Sequence, residues 1–187
     1  QRIAFSDNPN GPLGPEPLAI VADRPGTYRV EVSARTATAA AGSYEIRVEA
    51  LRPALDRDRE HVAALEAFAE GQRLRAQNTA HSRLQAIAQY EQALTFFRAD
   101  ADFFNEVLTA YRIALVRANS SDFQGALDGL LRVLPLAAGL GEPNMAASVL
   151  NLGGGMYDAL GDLPNALQLY RDALAPFRSM GNRNGEA

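Results

Sequence analysis

From residue 82 onward, apolar side chains recur at offsets of four and seven, which is one face of an α-helix. The pattern then repeats along the chain. Ala86, Ala126 and Ala166 stand 40 residues apart, and the same shift superposes Tyr90, Leu130 and Tyr170. It also superposes Ile87, Leu127 and Leu167, then Ala93, Val133 and Ala173, then Leu94, Leu134 and Leu174. Ser82, Asp122 and Asp162 share this grid and are residues whose side chains satisfy the free N–H groups at a helix start. Gln85 follows Ser82 at the spacing of a capping box, and Pro164 stands in a first turn, where its missing N–H costs little.

The stretches near 56–79, 103–119 and 143–160 are rich in Ala and Leu, and each is followed by a short turn. The pattern therefore predicts three helical hairpins, each an A helix and then a B helix, over about 56–98, 101–138 and 143–180. One hairpin cannot cover its own apolar face, so stacking against neighbours must supply the core. Pro135 and Pro176 fall late in B helices, where proline removes a hydrogen bond and crowds the preceding turn. A kink or an early helix end is expected at each. Gly153, Gly154 and Gly155 stand in mid-helix, at up to about 1 kcal/mol each relative to alanine.

Residues 1–53 follow a different rhythm. Tyr28, Val30 and Val32 alternate with Arg29, Glu31 and Ser33, and Tyr44, Ile46 and Val48 alternate with Glu45, Arg47 and Glu49. Alternation of this kind predicts half-buried strands. Residues 35–41 would join the two as a hairpin, and 18–22 would form a third strand. The expected architecture is mainly α: a solenoid of three helical hairpins over 54–187, preceded by a small antiparallel β-segment over 1–53.

Composition narrows the chemistry. Hydrophobic residues make up 47% and charged residues 21% of the 187, which suits a folded domain rather than a disordered chain. The net charge of −4 provides no electrostatic footprint for nucleic acid or an anionic membrane surface. With no cysteine, thiol catalysis, zinc–thiolate sites and disulfides are excluded for these residues. Two histidines, His61 and His81, are too few for a histidine-rich metal site, and both are expected to face solvent. No apolar run approaches the roughly 20 residues of a membrane span.

Other local motifs resolve into structural readings. Asp56-Arg57-Asp58-Arg59-Glu60 opens like a calcium loop but lacks the glycine and closing glutamate, so it reads as a charged helix start. The glycines at 153–155 lack the Lys-Ser/Thr of a phosphate loop. Phe68, Tyr90, Phe96, Phe97, Phe103, Phe104, Tyr170 and Phe177 stand at helical spacing and are expected in the core, with the Phe103-Phe104 pair partly exposed. No catalytic residues, cofactor or metal are assigned.

Gly154, Tyr157, Gly161, Ala166, Tyr170 and Ala173 stand in the order and spacing of the tetratricopeptide pattern. The third hairpin thus resembles a tetratricopeptide repeat. The second departs from it in its A helix, with Ala114, Arg117 and Ser121 at those places, and the first keeps it only in its B helix. The usual period is about 34 residues, so this array resembles the variants with longer helices. The resemblance implies a protein-interaction scaffold that holds a protein or peptide ligand in a groove lined by the A helices. By register, that groove would present Arg75, Asn78, Tyr111, Asn119, Ser148, Asn151 and Asp158. The set lacks the Lys and Arg pair of carboxylate-clamp members, which argues against a chaperone C-terminus as ligand.

The paired strands Gly26–Val32 and Gly42–Val48 resemble the closing half of a pre-peptidase C-terminal-like β-sandwich. That sandwich followed by a tetratricopeptide array resembles bacterial proteins that end in a caspase-like CHAT peptidase domain. The resemblance implies a regulatory or positioning role beside such a domain, and a bacterial location at the envelope or outside the cytoplasm. On this reading the chain is a piece of a longer protein, and 181–187 read as the start of a further repeat. The last B helix, with Leu167, Tyr170, Leu174 and Phe177, would then be uncovered and able to pack on a second copy.

Overall fold

The computed structural model of the chain describes residues 18–22, 24–32, 45–48 and 51–179, with side chains to 174. Six helices run in order through the larger part: α1 (Asp56–Gln77), α2 (Ala80–Ala99), α3 (Phe103–Ala118), α4 (Phe123–Gly139), α5 (Pro143–Ala159) and α6 (Leu163–Ser179). Each packs against the next in sequence, and α3 also touches α5. The result is a stack of antiparallel hairpins, α1 with α2, α3 with α4 and α5 with α6.

The turns inside the second and third hairpins share one construction. In the third, the N–H of Gly161 donates to the Asp158 carbonyl and that of Asp162 to the Tyr157 carbonyl, both at 2.9 Å. This doubly bonded helix end requires one left-handed residue, and Gly161 supplies it at φ 83°. The second hairpin makes the same pair of bonds with Ser121 and Asp122, holding Ser121 at φ 61°. In the first, Asn78 takes the left-handed place at φ 52°. The next residue on the grid then caps the following helix. Asp122 accepts from the Gly125 N–H at 3.0 Å and Asp162 from the Asn165 N–H at 3.3 Å.

The first hairpin departs from the grid, and the expected Ser82 cap is corrected. Thr79 is the N-cap of α2: its hydroxyl accepts from the Ser82 N–H, and the Ser82 hydroxyl accepts from the Thr79 N–H, each at 3.0 Å. Ser82 therefore closes the capping box from inside the helix, and Gln85 has no part in it. α2 begins three residues ahead of the place that α4 and α6 would assign it.

Two further expectations are corrected, the first in part: of the kink or early end expected at Pro135 and Pro176, the early end does not occur. α4 continues through Pro135 to Gly139, and α6 runs to Ser179, so neither helix ends early. Pro135 and Leu131 both face solvent, which leaves the Leu131 carbonyl, freed by the proline, open to water. His61 is half-buried rather than solvent-facing. It lies edge-on to Phe97 at 6.2 Å, with Nδ1 3.4 Å from an Asp100 oxygen. His81 is exposed.

The charged start of α1 is tied down locally. The Asp58 carboxylate accepts from the Leu55 N–H at 2.7 Å and from both Arg52 Nη atoms, and this pairing holds its carboxyl well below the usual range. Among the described residues of the first fifty there is no strand. Leu18, Ile20, Tyr28, Val30, Val32, Ile46 and Val48 are all exposed, so the half-burial expected from their alternation is not met. All of the expected hairpin loop, and Tyr44, lie outside the described residues.

The core forms two adjoining clusters. One gathers Phe68, Tyr90, Phe97, Leu108 and Val116 from α1, α2 and α3. The other gathers Val107, Leu127, Leu130, Val133 and Val149 from α3, α4 and α5. Met145 packs on both. Phe103 is exposed, whereas Phe104 packs on the first cluster.

Aromatic rings set the closest helix approaches. A Cβ on Gly154 would lie 2.7 Å from Tyr170 Cε1, so this position admits nothing larger than hydrogen. The same holds for Gly71, where a Cβ would lie 2.7 Å from Tyr90 Cδ1 and Cε1. Gly153 is confined by Leu169 Cδ1 at 3.0 Å, while Gly155 has ordinary room.

Candidate functional site

All seven candidate residues fall on, or immediately after, the A helices. Arg75 lies in α1, Tyr111 in α3, and Ser148, Asn151 and Asp158 in α5; Asn78 and Asn119 follow α1 and α3. On α5 the spacings of three and seven place its three candidates along one strip. Gly71, Ala114 and Gly154 mark equivalent points on the A helices, which makes Tyr111 the counterpart of Asn151 and Arg75 the counterpart of Asp158.

Not all seven are available to a ligand. Asn78 belongs to the turn: its carbonyl and Oδ1 both accept from Arg83 Nη1, at 3.2 and 3.3 Å. Asn119 caps α3 through its backbone N–H and is exposed. Ser148 spends its hydroxyl on the Asn144 carbonyl at 2.7 Å. Tyr111 is half-buried and packs on the second core cluster. Asn151 and Asp158 are exposed.

The structure gathers a tighter group around Arg75. Tyr90 lays its ring across Gly71, one helical turn before Arg75 on the same face of α1. The Tyr90 side chain is fully buried, and burial raises the pKa of its hydroxyl, with the Arg75 and Arg112 guanidiniums opposing that shift. Arg112, on α3 beside Tyr111, completes the group. Burial, and then the Arg75 charge, pull its guanidinium below the ordinary range, while the Tyr90 and Tyr111 hydroxyls act the other way. Arg112 was not among the register-derived residues. Its signal in the sequence is a lone charge within the apolar run Val107–Ala114.

The equivalent point of the third hairpin has the opposite sign. There the Tyr170 hydroxyl is raised first by burial and then by the negative charge of Asp158. One end of the row of A helices is therefore cationic around Arg75 and Arg112, and the other carries an exposed carboxylate.

Comparison with solved structures places this geometry in a known class. The tetratricopeptide-repeat domain of FLU from Arabidopsis superposes with a TM-score of 0.55 at 17% identity, covering 66% of this chain and 98% of that one. The fold is tetratricopeptide-like. The N-terminal domain of stress-induced protein-1 from C. elegans also superposes with a TM-score of 0.55, at 15% identity, covering 68% of this chain and 98% of that domain. No protein-family model matches the chain, and no curated protein does either. The tetratricopeptide-like array thus stands on its six-helix architecture and its Gly–Tyr packing. No helix among the described residues is long and apolar enough to cross a membrane.

Proposed function

We propose that this chain is a protein-interaction scaffold that holds a peptide segment against the row formed by α1, α3 and α5. The observation that carries this reading is the tetratricopeptide-like stack of hairpins. It brings α3 against α5, with Asn151 and Asp158 exposed on α5 and Tyr111 half-exposed on α3. Exposed polar groups flanking an aromatic anchor suit the recognition of a chain whose own backbone offers hydrogen-bonding groups.

Binding of a captured partner should weaken about five- to thirty-fold in Tyr111→Ala, the usual range for a central aromatic contact. Asn151→Ala should weaken it by a smaller factor. Because Tyr111 also packs on the core, circular dichroism of each variant accompanies the titration, and Asn151→Ala serves as the substitution free of core contacts. Unchanged affinity in both variants would remove the groove from consideration.

A second surface is supported by a specific observation. Leu163 and Leu167 on α6 are 57% and 53% exposed, leaving an apolar strip outside the core. We infer self-association through this face at high concentration; light scattering that reports a monomer throughout would exclude it. The positioning role beside a caspase-like peptidase domain follows only from the resemblance in residues 1–53, and the strandless described residues there lend it no support.

A further inference from the structure

Arg75, Tyr90 and Arg112 form a polar cluster to which no described carboxylate contributes. The Nε atoms of both arginines and the Tyr90 hydroxyl are buried without a well-formed hydrogen bond, and the hydroxyl faces only the guanidiniums of Arg75 and Arg112. No described carboxylate pairs with either guanidinium, although elsewhere the protein pairs its arginines readily. Arg98 meets Glu106 at 2.8 Å and Arg117 meets Glu91 at 3.2 Å, both bridging α2 to α3. Unpaired buried donors are costly, more so when charged, and two cations kept near each other add repulsion. Core packing does not require this arrangement, since an apolar side chain of similar length would fill the same space.

Arg75 and Arg112 are each half-buried, so the outer edge of the cluster meets solvent. Tyr90 anchors it from beneath against Gly71, Arg75 rises from α1 one turn further on, and Arg112 enters from α3 beside the half-exposed Tyr111. From this juxtaposition we propose that the Arg75–Tyr90–Arg112 cluster is an anion subsite, and that the peptide held by the A helices presents an acidic side chain to it. A carboxylate supplies acceptors for donors on both guanidiniums and for the tyrosine hydroxyl, and it cancels the paired charge. The exposed Asp158 at the far end of the row disfavours binding of the same acidic group there. This inference rests on the groove reading above and deepens it by naming the chemistry of the ligand.

The probe is an immobilised array of dodecapeptides with randomised neutral flanks and a central Glu-Glu, Gln-Gln or Lys-Lys pair, exposed to the full chain. The Glu-Glu set should be retained about ten-fold more strongly than the Gln-Gln set, the scale of one charge-assisted hydrogen bond. Raising the salt concentration should narrow that preference. Arg112→Gln and Arg75→Gln should each abolish this Glu-Glu preference. Arg112→Lys, which keeps the charge but loses the planar fork, should retain part of it.

The outcomes separate the two readings. Equal retention of the Glu-Glu and Gln-Gln sets, both lowered by Asn151→Ala, overturns the anion subsite and leaves the groove standing. A Glu-Glu preference that survives both Arg→Gln substitutions places the anion elsewhere and also overturns the subsite. Retention of none of the three sets overturns the subsite and the groove together. Inorganic phosphate added as competitor distinguishes the remaining source of negative charge: displacement of the Glu-Glu set supports the subsite, whereas undiminished retention at high phosphate counts against it.

Discussion

Tyr90→Ala should destabilise the folded chain by about 3–5 kcal/mol, the range for removing a large buried aromatic side chain. Tyr90 is fully buried, tilted against Phe68 at a ring separation of 5.5 Å, and wedged against the backbone of α1 at Gly71. Its ring therefore holds α1 onto α2 and contributes to the cluster that α3 completes. Tyr90→Phe separates packing from polarity. The hydroxyl makes no well-formed hydrogen bond and faces only the Arg75 and Arg112 guanidiniums, so its loss should cost little. Urea melts of the three proteins decide the matter, and a Tyr90→Ala cost below about 1 kcal/mol would sink the claim that this ring organises the first hairpin.

The same contact fixes the sign of a second substitution. Gly71→Ala recovers up to about 1 kcal/mol of helix propensity but drives a Cβ to 2.7 Å from two ring carbons. Overpacking of that kind costs about 1–3 kcal/mol, so the net effect in the native background is a loss. In the Tyr90→Ala background the obstacle is gone, and Gly71→Ala should become stabilising. The reversal is what a double-mutant cycle between touching residues reports.

Gly71 also shows where the sequence was legible and where it was not. The 40-residue grid locates Gly154, Tyr170 and the Asp122 and Asp162 caps because helices of equal length repeat the same contacts. The first hairpin slips by three residues, since α2 starts early at Ala80. Strict register therefore lands on Leu74 instead of Gly71, and it names Ser82 instead of Thr79 as the cap. A local shift of less than one helical turn left the buried face intact but moved the features that identify the repeat. Pro135 misled for another reason. Proline's cost depends on whether the freed carbonyl reaches water, and that is a property of the packed helix rather than of the residue.

Among the described residues of the first fifty, the reason for the difference is another one. Alternation at Tyr28–Val32 states only which side chains share a face of an extended chain, and a strand exists only when a partner supplies its hydrogen bonds. Of the proposed groove, the helices carrying each residue were legible, but the competing uses of Asn78 and Ser148 were not, because both spend their groups on local backbone or turn contacts. Arg112 was invisible to register since no other hairpin places a charge at that point. Its meaning came only from the company of Arg75 and Tyr90, which approach from two other helices.

Leu127→Ala should cost about 2–5 kcal/mol, whereas Leu167→Ala, in the same column of the repeat, should cost far less. Leu127 is 2% exposed and Leu167 is 53% exposed. The difference arises one layer out. α5 lies against α4 and covers the face that carries Leu127, while no described helix lies beyond α6 to do the same for Leu167. Removing buried methyl groups from α4 leaves a cavity among Val107, Leu130, Val133 and Val149. Truncating Leu167 only trims a surface already in water. Because each hairpin is held by its neighbours, weakening the central one also loosens the connection between the first and third, so the Leu127→Ala melt should broaden as well as shift. Chemical denaturation at low protein concentration, where contacts between copies do not intrude, compares the two variants directly. Equal costs at the two positions would mean that α6 is covered as fully as α4, and the apolar strip on its outer face would lose its standing as a free surface.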